Sequence, residues 1–276
     1  MDVQVLGPLT AAASGVSIVP TAAKPRQILA LLALNANRIV SVPQLMEELW
    51  GAELPRSAAT TLQTYILQLR RNLRAALRDS RSDRAEQVLA TRHGGYVLEM
   101  PAAAVDANEF DRLATLGYAA YAAGDMAAAS AVLGAALEQW RGPVLVDVRH
   151  GHHLSIEVTR LEESRIGVLE RRIRADLRLG RHHELVGELS ALIGHHPLDE
   201  SLHAHLIVAL YRAGRAPRAL AVYQKLRDTL VDELGLEPSG QLQRLQQAIL
   251  CGTPVRDYGL ESADLPLARE SRVVVG

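Results

Sequence analysis

The stretch TTLQTYILQLRRNL, residues 60–73, carries two chemistries at helical spacing. Gln63 and Gln68 each hold a donor and an acceptor able to meet a base edge, and Thr60, Thr61 and Thr64 add hydroxyls. Leu67, or the methyl group of Thr64, can touch a thymine methyl. Arg70, Arg71 and Arg74 supply the fixed positive charge that holds phosphates. No Asp or Glu occurs from residue 54 to residue 78, so this charge is not neutralised within the segment. Amides and hydroxyls for bases with arginines for backbone make a reader of double-stranded DNA. The bland alternative is a solvated helix face, and only the neighbouring elements distinguish the two.

Leu62, Ile66, Leu69, Leu73 and Leu77 recur in steps of four, three, four and four, the period of one buried helix face. Before this helix, VQVLG and VSIV predict a small β-hairpin. KPRQILALLALNAN and SVPQLMEELWG then predict two short helices, the second opened by a capping box of Ser41 and Gln44 and closed at Gly51. The turn GAELPRS leads into the third helix and exposes Glu53 and Arg56. After a polar loop, RDSRSDRAE, the runs QVLAT and YVLEM are joined by RHGG and predict a hairpin with Arg92 and His93 at its tip. Strands, three helices and a hairpin are the order of a winged helix-turn-helix. There the third helix enters the major groove and the hairpin lies on adjacent backbone or minor groove.

From Asp106 onward, seven helical runs follow one another. Gly180 and Gly214 lie 34 residues apart, as do Leu185 and Ala219, and Leu189 and Tyr223. Gly124, Ala129 and Leu133 repeat the same internal offsets. A 34-residue helix–turn–helix period is that of tetratricopeptide repeats, which present a concave surface to a protein partner. The predicted architecture is mainly α: a winged-helix domain over residues 1–102, an all-α tetratricopeptide-like helical-hairpin domain over 106–251, and a loosely attached or disordered tail over 252–276.

Apolar residues make up 48% of the chain and aromatics only 4%, so the interior is built of Ala, Leu and Val. The net charge of -1 hides an asymmetry. Residues 1–100 hold eleven Lys/Arg against eight acids, a net of +3, and the remainder nets -4. Cys251 is the single cysteine, and no long uncharged apolar run occurs, so a soluble cytoplasmic protein, associated with the nucleoid, is expected with no membrane contact. The histidines of RHGHH, RHH and GHH lack the spacing of a metal site, and no catalytic constellation stands out. No metal, cofactor or enzymatic activity is expected. The rival reading is a repeat scaffold that binds proteins and has no direct DNA role.

LLALNANRIVSVPQLMEELWG, TTLQTYILQLRRNL, TRHGGYVLEM and the long run from LEESRIGVLERRIRADLRLG to GQLQRLQQAIL resemble the Streptomyces antibiotic regulatory proteins over roughly residues 3–250. The resemblance implies an OmpR-type winged-helix domain followed by a bacterial transcriptional activator domain. It further implies activation of secondary-metabolite clusters, binding of direct repeats as a side-by-side homodimer, and recruitment of RNA polymerase holoenzyme through its sigma factor. The family's DNA-facing set falls on Thr60, Thr61, Gln63, Thr64, Leu67, Gln68 and Arg71, with Arg92 at the wing tip. The turn holding Glu53 and Arg56 lies where OmpR-type proteins approach polymerase. A receiver domain and a nucleotide-binding module, which larger relatives carry, are not expected, since about twenty residues precede the first helix and no GxxxxGK[ST] occurs.

Overall fold

The computed structural model describes residues 1–77, 83–253 and 255, which form two compact units, Met1–Arg171 and Arg172–Gly276. Most of the expected polar loop (78–82) and most of the expected tail (254 and 256–276) lie outside the described residues.

The first unit opens with an antiparallel sheet of β1 (Asp2–Gln4), β2 (Thr10–Ala13) and β3 (Val16–Ser17), in which Val3 faces Ala11 and Ala12 faces Ser17. The expected hairpin thus gains a middle strand, TAAA, whose alanines have little strand preference. Burial of Ala11 and Ala13 in the core holds it. Ser14 and Gly15, both at positive φ (49° and 78°), make the tight β2–β3 turn.

Next come α1 (Ala23–Leu34), β4 (Val40–Ser41), α2 (Val42–Trp50) and α3 (Ala58–Leu77). The capping box forms as expected, with Ser41 Oγ accepting from Gln44 N at 3.3 Å and Gln44 Oε1 accepting from Ser41 N at 2.9 Å, which stabilises the start of α2 by about 1 kcal/mol. Helix α4 (Asp83–Val88) takes Gln87 and Val88 out of the expected strand, so the wing is β5 (Leu89–Arg92) and β6 (Gly95–Leu98). The second sheet has the order β4-β6-β5, with β6 central. Ser41 faces Gly95 there, and a Cβ on Gly95 would lie 2.3 Å from the Val40 carbonyl oxygen, so only glycine fits.

The unit continues through α5 (Asp106–Ala122), α6 (Met126–Leu137) and most of α7 (His152–Arg178). Helices α5 and α6 cross closely at Gly117, where a Cβ would stand 2.4 Å from Leu133 Cδ2. Two buried carboxylates join these helices to the elements before them. Glu48 of α2 accepts from Gly151 N (2.6 Å), His153 N (2.8 Å), Leu154 N (3.0 Å) and Gln27 Nε2 (2.8 Å). First-turn N–H groups have no partner inside their own helix and form its positive end. A side chain from α2 therefore caps α7. A Cβ at Gly151 would fall 2.1 Å from the Glu48 carbonyl oxygen. Asp106, at the start of α5, accepts from Val5 N (2.8 Å), Leu6 N (3.1 Å) and Ala107 N (2.9 Å), with Arg141 at 3.7 Å. Burial pushes the Asp106 carboxyl above its usual range, and the three N–H donors and Arg141 oppose this.

The second unit holds the end of α7, then α8 (His182–His195), α9 (Glu200–Arg212), α10 (Ala216–Leu234) and α11 (Gly240–Leu250). The repeat seen in the sequence is a structural one. Gly124, Gly180 and Gly214 take φ of 81°, 80° and 74°, the left-handed conformation that ends a helix. In each case the next N–H reaches back to the same position: Asp125 to Ala120, Arg181 to Asp176 and Arg215 to Leu210. The residues five and nine places after each glycine are buried: Ala129 and Leu133, Leu185 and Leu189, Ala219 and Tyr223. These helical hairpins are tetratricopeptide-like. Thr253 and Val255 are fastened to α9, their carbonyls accepting from Tyr211 Oη (3.1 Å) and from Arg212 Nε and Nη2 (3.0 and 2.9 Å).

Candidate nucleic-acid interface

Helix α3 divides into two faces as its spacing requires. Leu62, Ile66, Leu69 and Leu73 are buried in the core of the first unit, joined by Ala58 and Ala76, whereas Leu77 is only partly buried. On the opposite face Thr60, Gln63, Thr64, Leu67 and Arg71 are exposed, and Thr61 and Gln68 are half-buried. Leu67 is 61% exposed among these polar neighbours. Thr64 Oγ1 donates to the Thr60 carbonyl at 3.0 Å, which turns its methyl group away from that bond. At 1.5 Å per residue the face from residue 60 to residue 71 extends about 16 Å, roughly five base steps at 3.4 Å.

The remaining arginines are held differently from Arg71. Arg70 is half-buried and its Nε and Nη2 both donate to the Leu89 carbonyl (3.0 and 2.8 Å), while Nη2 also reaches Thr91 Oγ1 at 2.8 Å. Arg74 Nη2 pairs with Glu86 Oε1 at 2.8 Å. At the wing, Arg92 is exposed and pairs with Glu99 across the hairpin, and His93 is exposed beside Gly94, whose φ of 78° makes the turn. Thr91, Glu86 and Glu99 are partners that residue type alone did not reveal. They lie 7 to 21 residues from the arginines they hold, outside any helical or strand period.

The turn between α2 and α3 exposes Glu53, Leu54 and Arg56. It borders a cleft of about 820 Å³ whose lining includes Met46, Trp50, Leu54, Arg149 and His152. The Lys24 ammonium sits 4.5 Å over the Trp50 ring. The histidines are dispersed among separate local roles: His153 bonds Glu47 Oε2 at 3.0 Å, His150 the Leu145 carbonyl at 3.2 Å, and His203 and His205 are buried in α9. Among the described residues no helix is long and apolar enough to cross a membrane.

Comparison with known proteins places this geometry in a lineage. Residues 17–98 match the family model described as transcriptional regulatory protein, C terminal, and residues 105–250 match the bacterial transcriptional activator domain. The chain is 52% identical to the regulatory protein DnrI of Streptomyces peucetius, over 92% of this chain and 93% of that one. It is 35% identical to the transcriptional regulator RedD of Streptomyces coelicolor, over 92% of this chain and 72% of that one. Among solved structures it is similar to Mycobacterium tuberculosis EmbR in complex with a low-affinity phosphopeptide, with a TM-score of 0.82 at 35% identity, covering 92% of this chain and 66% of that one. A winged helix with an exposed amide-and-arginine face, joined to tetratricopeptide-like hairpins and matched almost end to end by such regulators, establishes that the chain belongs to the Streptomyces antibiotic regulatory protein family of transcriptional activators.

Proposed function

We propose that the chain binds direct repeats in double-stranded DNA near promoters, as a side-by-side homodimer, and recruits RNA polymerase to a secondary-metabolite gene cluster. The observation that carries this reading is the exposed face of α3, where Gln63, Leu67 and Arg71 stand in solvent with no acid from residue 54 to residue 78. Thr60, Thr61, Thr64 and Gln68 complete the base-reading set, and Arg92 and His93 bring the wing to the backbone. Such a protein works in the cytoplasm on the nucleoid.

The experiment is a mobility shift on the full chain under a salt titration, because affinity carried by phosphate contacts falls steeply as salt rises. Replacement Gln68→Ala is expected to reduce discrimination between the preferred duplex and single-base variants of it by about 1–3 kcal/mol. Uniform weakening on every duplex would remove Gln68 from base reading. A chain that retains no duplex at low salt would instead be a scaffold.

Glu53 and Arg56 are the proposed sigma-factor contacts. They stand exposed on the α2–α3 turn beside Leu54, which is itself 54% exposed, a mixed charged and apolar surface suited to a protein partner. Glu53→Ala with Arg56→Ala is expected to leave the mobility shift unchanged and to abolish activated transcription in a purified system. Full transcription from the double variant would end that assignment.

A further inference from the structure

The basic edge of α3 offers three arginines of one residue type, yet the structure treats them unequally. Arg71 is exposed and has no ion-pair partner among the described residues. Arg70 aims both arms of its fork at one carbonyl of β5, that of Leu89, and adds Thr91 Oγ1 on the same strand. Strand β5 is an edge of the β4-β6-β5 sheet, and the outward backbone groups of an edge strand need partners from elsewhere. One turn further on, Arg74 ties α3 to α4 through Glu86. The planar, multiply donating guanidinium is suited to such bracing, and moving it to a phosphate would leave the Leu89 carbonyl without these donors.

We propose that the trio is divided. Arg71 neutralises a phosphate, whereas Arg70, assisted by Arg74, is a positioning residue that fixes the wing against the reading helix. It thereby sets the spacing between the groove contact and the wing contact. This rests on the DNA-binding reading above and differs from what residue type suggests, namely three equivalent phosphate holders. The wing tip, with Arg92 braced by Glu99 on the same hairpin, then meets DNA at a distance governed by the Arg70 fork.

The test uses the full chain and the duplex that it enriches from a random-sequence pool. Binding is measured as a function of salt, and backbone protection is mapped by hydroxyl radicals. Arg71→Gln is expected to lower the slope of log affinity against log salt by about 0.9, the value for one phosphate contact, and to keep the wing-side protection. Arg70→Gln is expected to lose the wing-side protection selectively and to keep the protection over the groove that α3 enters, its slope falling only by what the lost wing contact carried. Thr91→Val, which changes no charge, is expected to weaken that same protection, and this covers the case in which Arg70→Gln does not fold. A slope reduced by Arg70→Gln with the wing-side protection intact, as expected for Arg71→Gln, would overturn the inference. So would wing-side protection that survives both Arg70→Gln and Thr91→Val. Failure of the wild-type chain to enrich or protect any duplex would instead refute the DNA-binding reading itself.

Discussion

Replacing Glu48 with alanine is expected to destabilise the first unit by about 3–5 kcal/mol, because it strips the acceptor from several buried N–H donors at once. The carboxylate is 3% exposed and gathers three backbone N–H groups at the start of α7 together with the Gln27 amide. Alanine leaves the three backbone N–H groups facing a vacated space, whereas the Gln27 amide keeps the backbone carbonyl of residue 48 at 2.8 Å, and each unsatisfied buried donor costs about 1–3 kcal/mol. Glu48→Gln keeps the volume but turns an amide NH2 toward N–H groups, so a loss of comparable size is expected. Against a typical total of about 5–15 kcal/mol, either change removes a large share. Urea unfolding followed at Trp50, whose ring lies in the same region as Glu48, measures it. A loss below about 1 kcal/mol, as for an ordinary surface substitution, would mean that water replaces the carboxylate at little cost. The consequence extends beyond α2, because α2 leads through the 51–57 turn directly into α3, the helix proposed above to read DNA.

The second unit is expected to lose about 3 kcal/mol of stability between pH 7 and pH 4 through His205 alone. This imidazole is 3% exposed in α9. Burial, reinforced by the Arg174 guanidinium, holds it down to about 4, while Asp199 and the Ser201 backbone oppose the shift. An unfolded histidine titrates near 6.5, so as the pH falls the unfolded chain takes up the proton first. The stabilising contribution is complete above about 6.5, declines through the interval and is exhausted below about 4. About 2.5 units at 1.36 kcal/mol each sets the size. His182 and His203 are lowered as well, chiefly by burial, and act in the same direction. The difference between wild type and His205→Gln isolates one site from these and from the carboxylates. Hydrogen exchange of α9 amides at the two pH values reads it locally. Equal pH dependence in both proteins would rule the mechanism out.

Much of the fold is local and therefore legible in the chain. The leucine period of α3, the Ser41–Gln44 capping box, the seven helices after Asp106 and the recurring glycines at 124, 180 and 214 each depend on residues a few positions apart. Period and capping express that proximity directly. The division of α3 into a buried and an exposed face follows for the same reason, and Gln63, Thr64, Leu67 and Arg71 stand on the solvent side as the spacing requires.

What the linear order could not carry are contacts between distant residues. Strand β2 is an alanine run that exists because the core accepts Ala11 and Ala13. Strand β4 is two residues long and is defined only by its pairing with β6. Glu48 sits beside Glu47 in MEELW and reads as one more solvated helix carboxylate, yet the three backbone N–H groups that it caps are more than a hundred residues away. Arg70, Arg71 and Arg74 are alike as residue types, and only the arrival of β5 and α4 against α3 separates the two that brace from Arg71, which is exposed and has no ion-pair partner among the described residues. Helical periodicity decides which way a side chain points, because that is a property of a few consecutive residues. What it meets there depends on which distant segment the core brings alongside, and only the packed chain decides that.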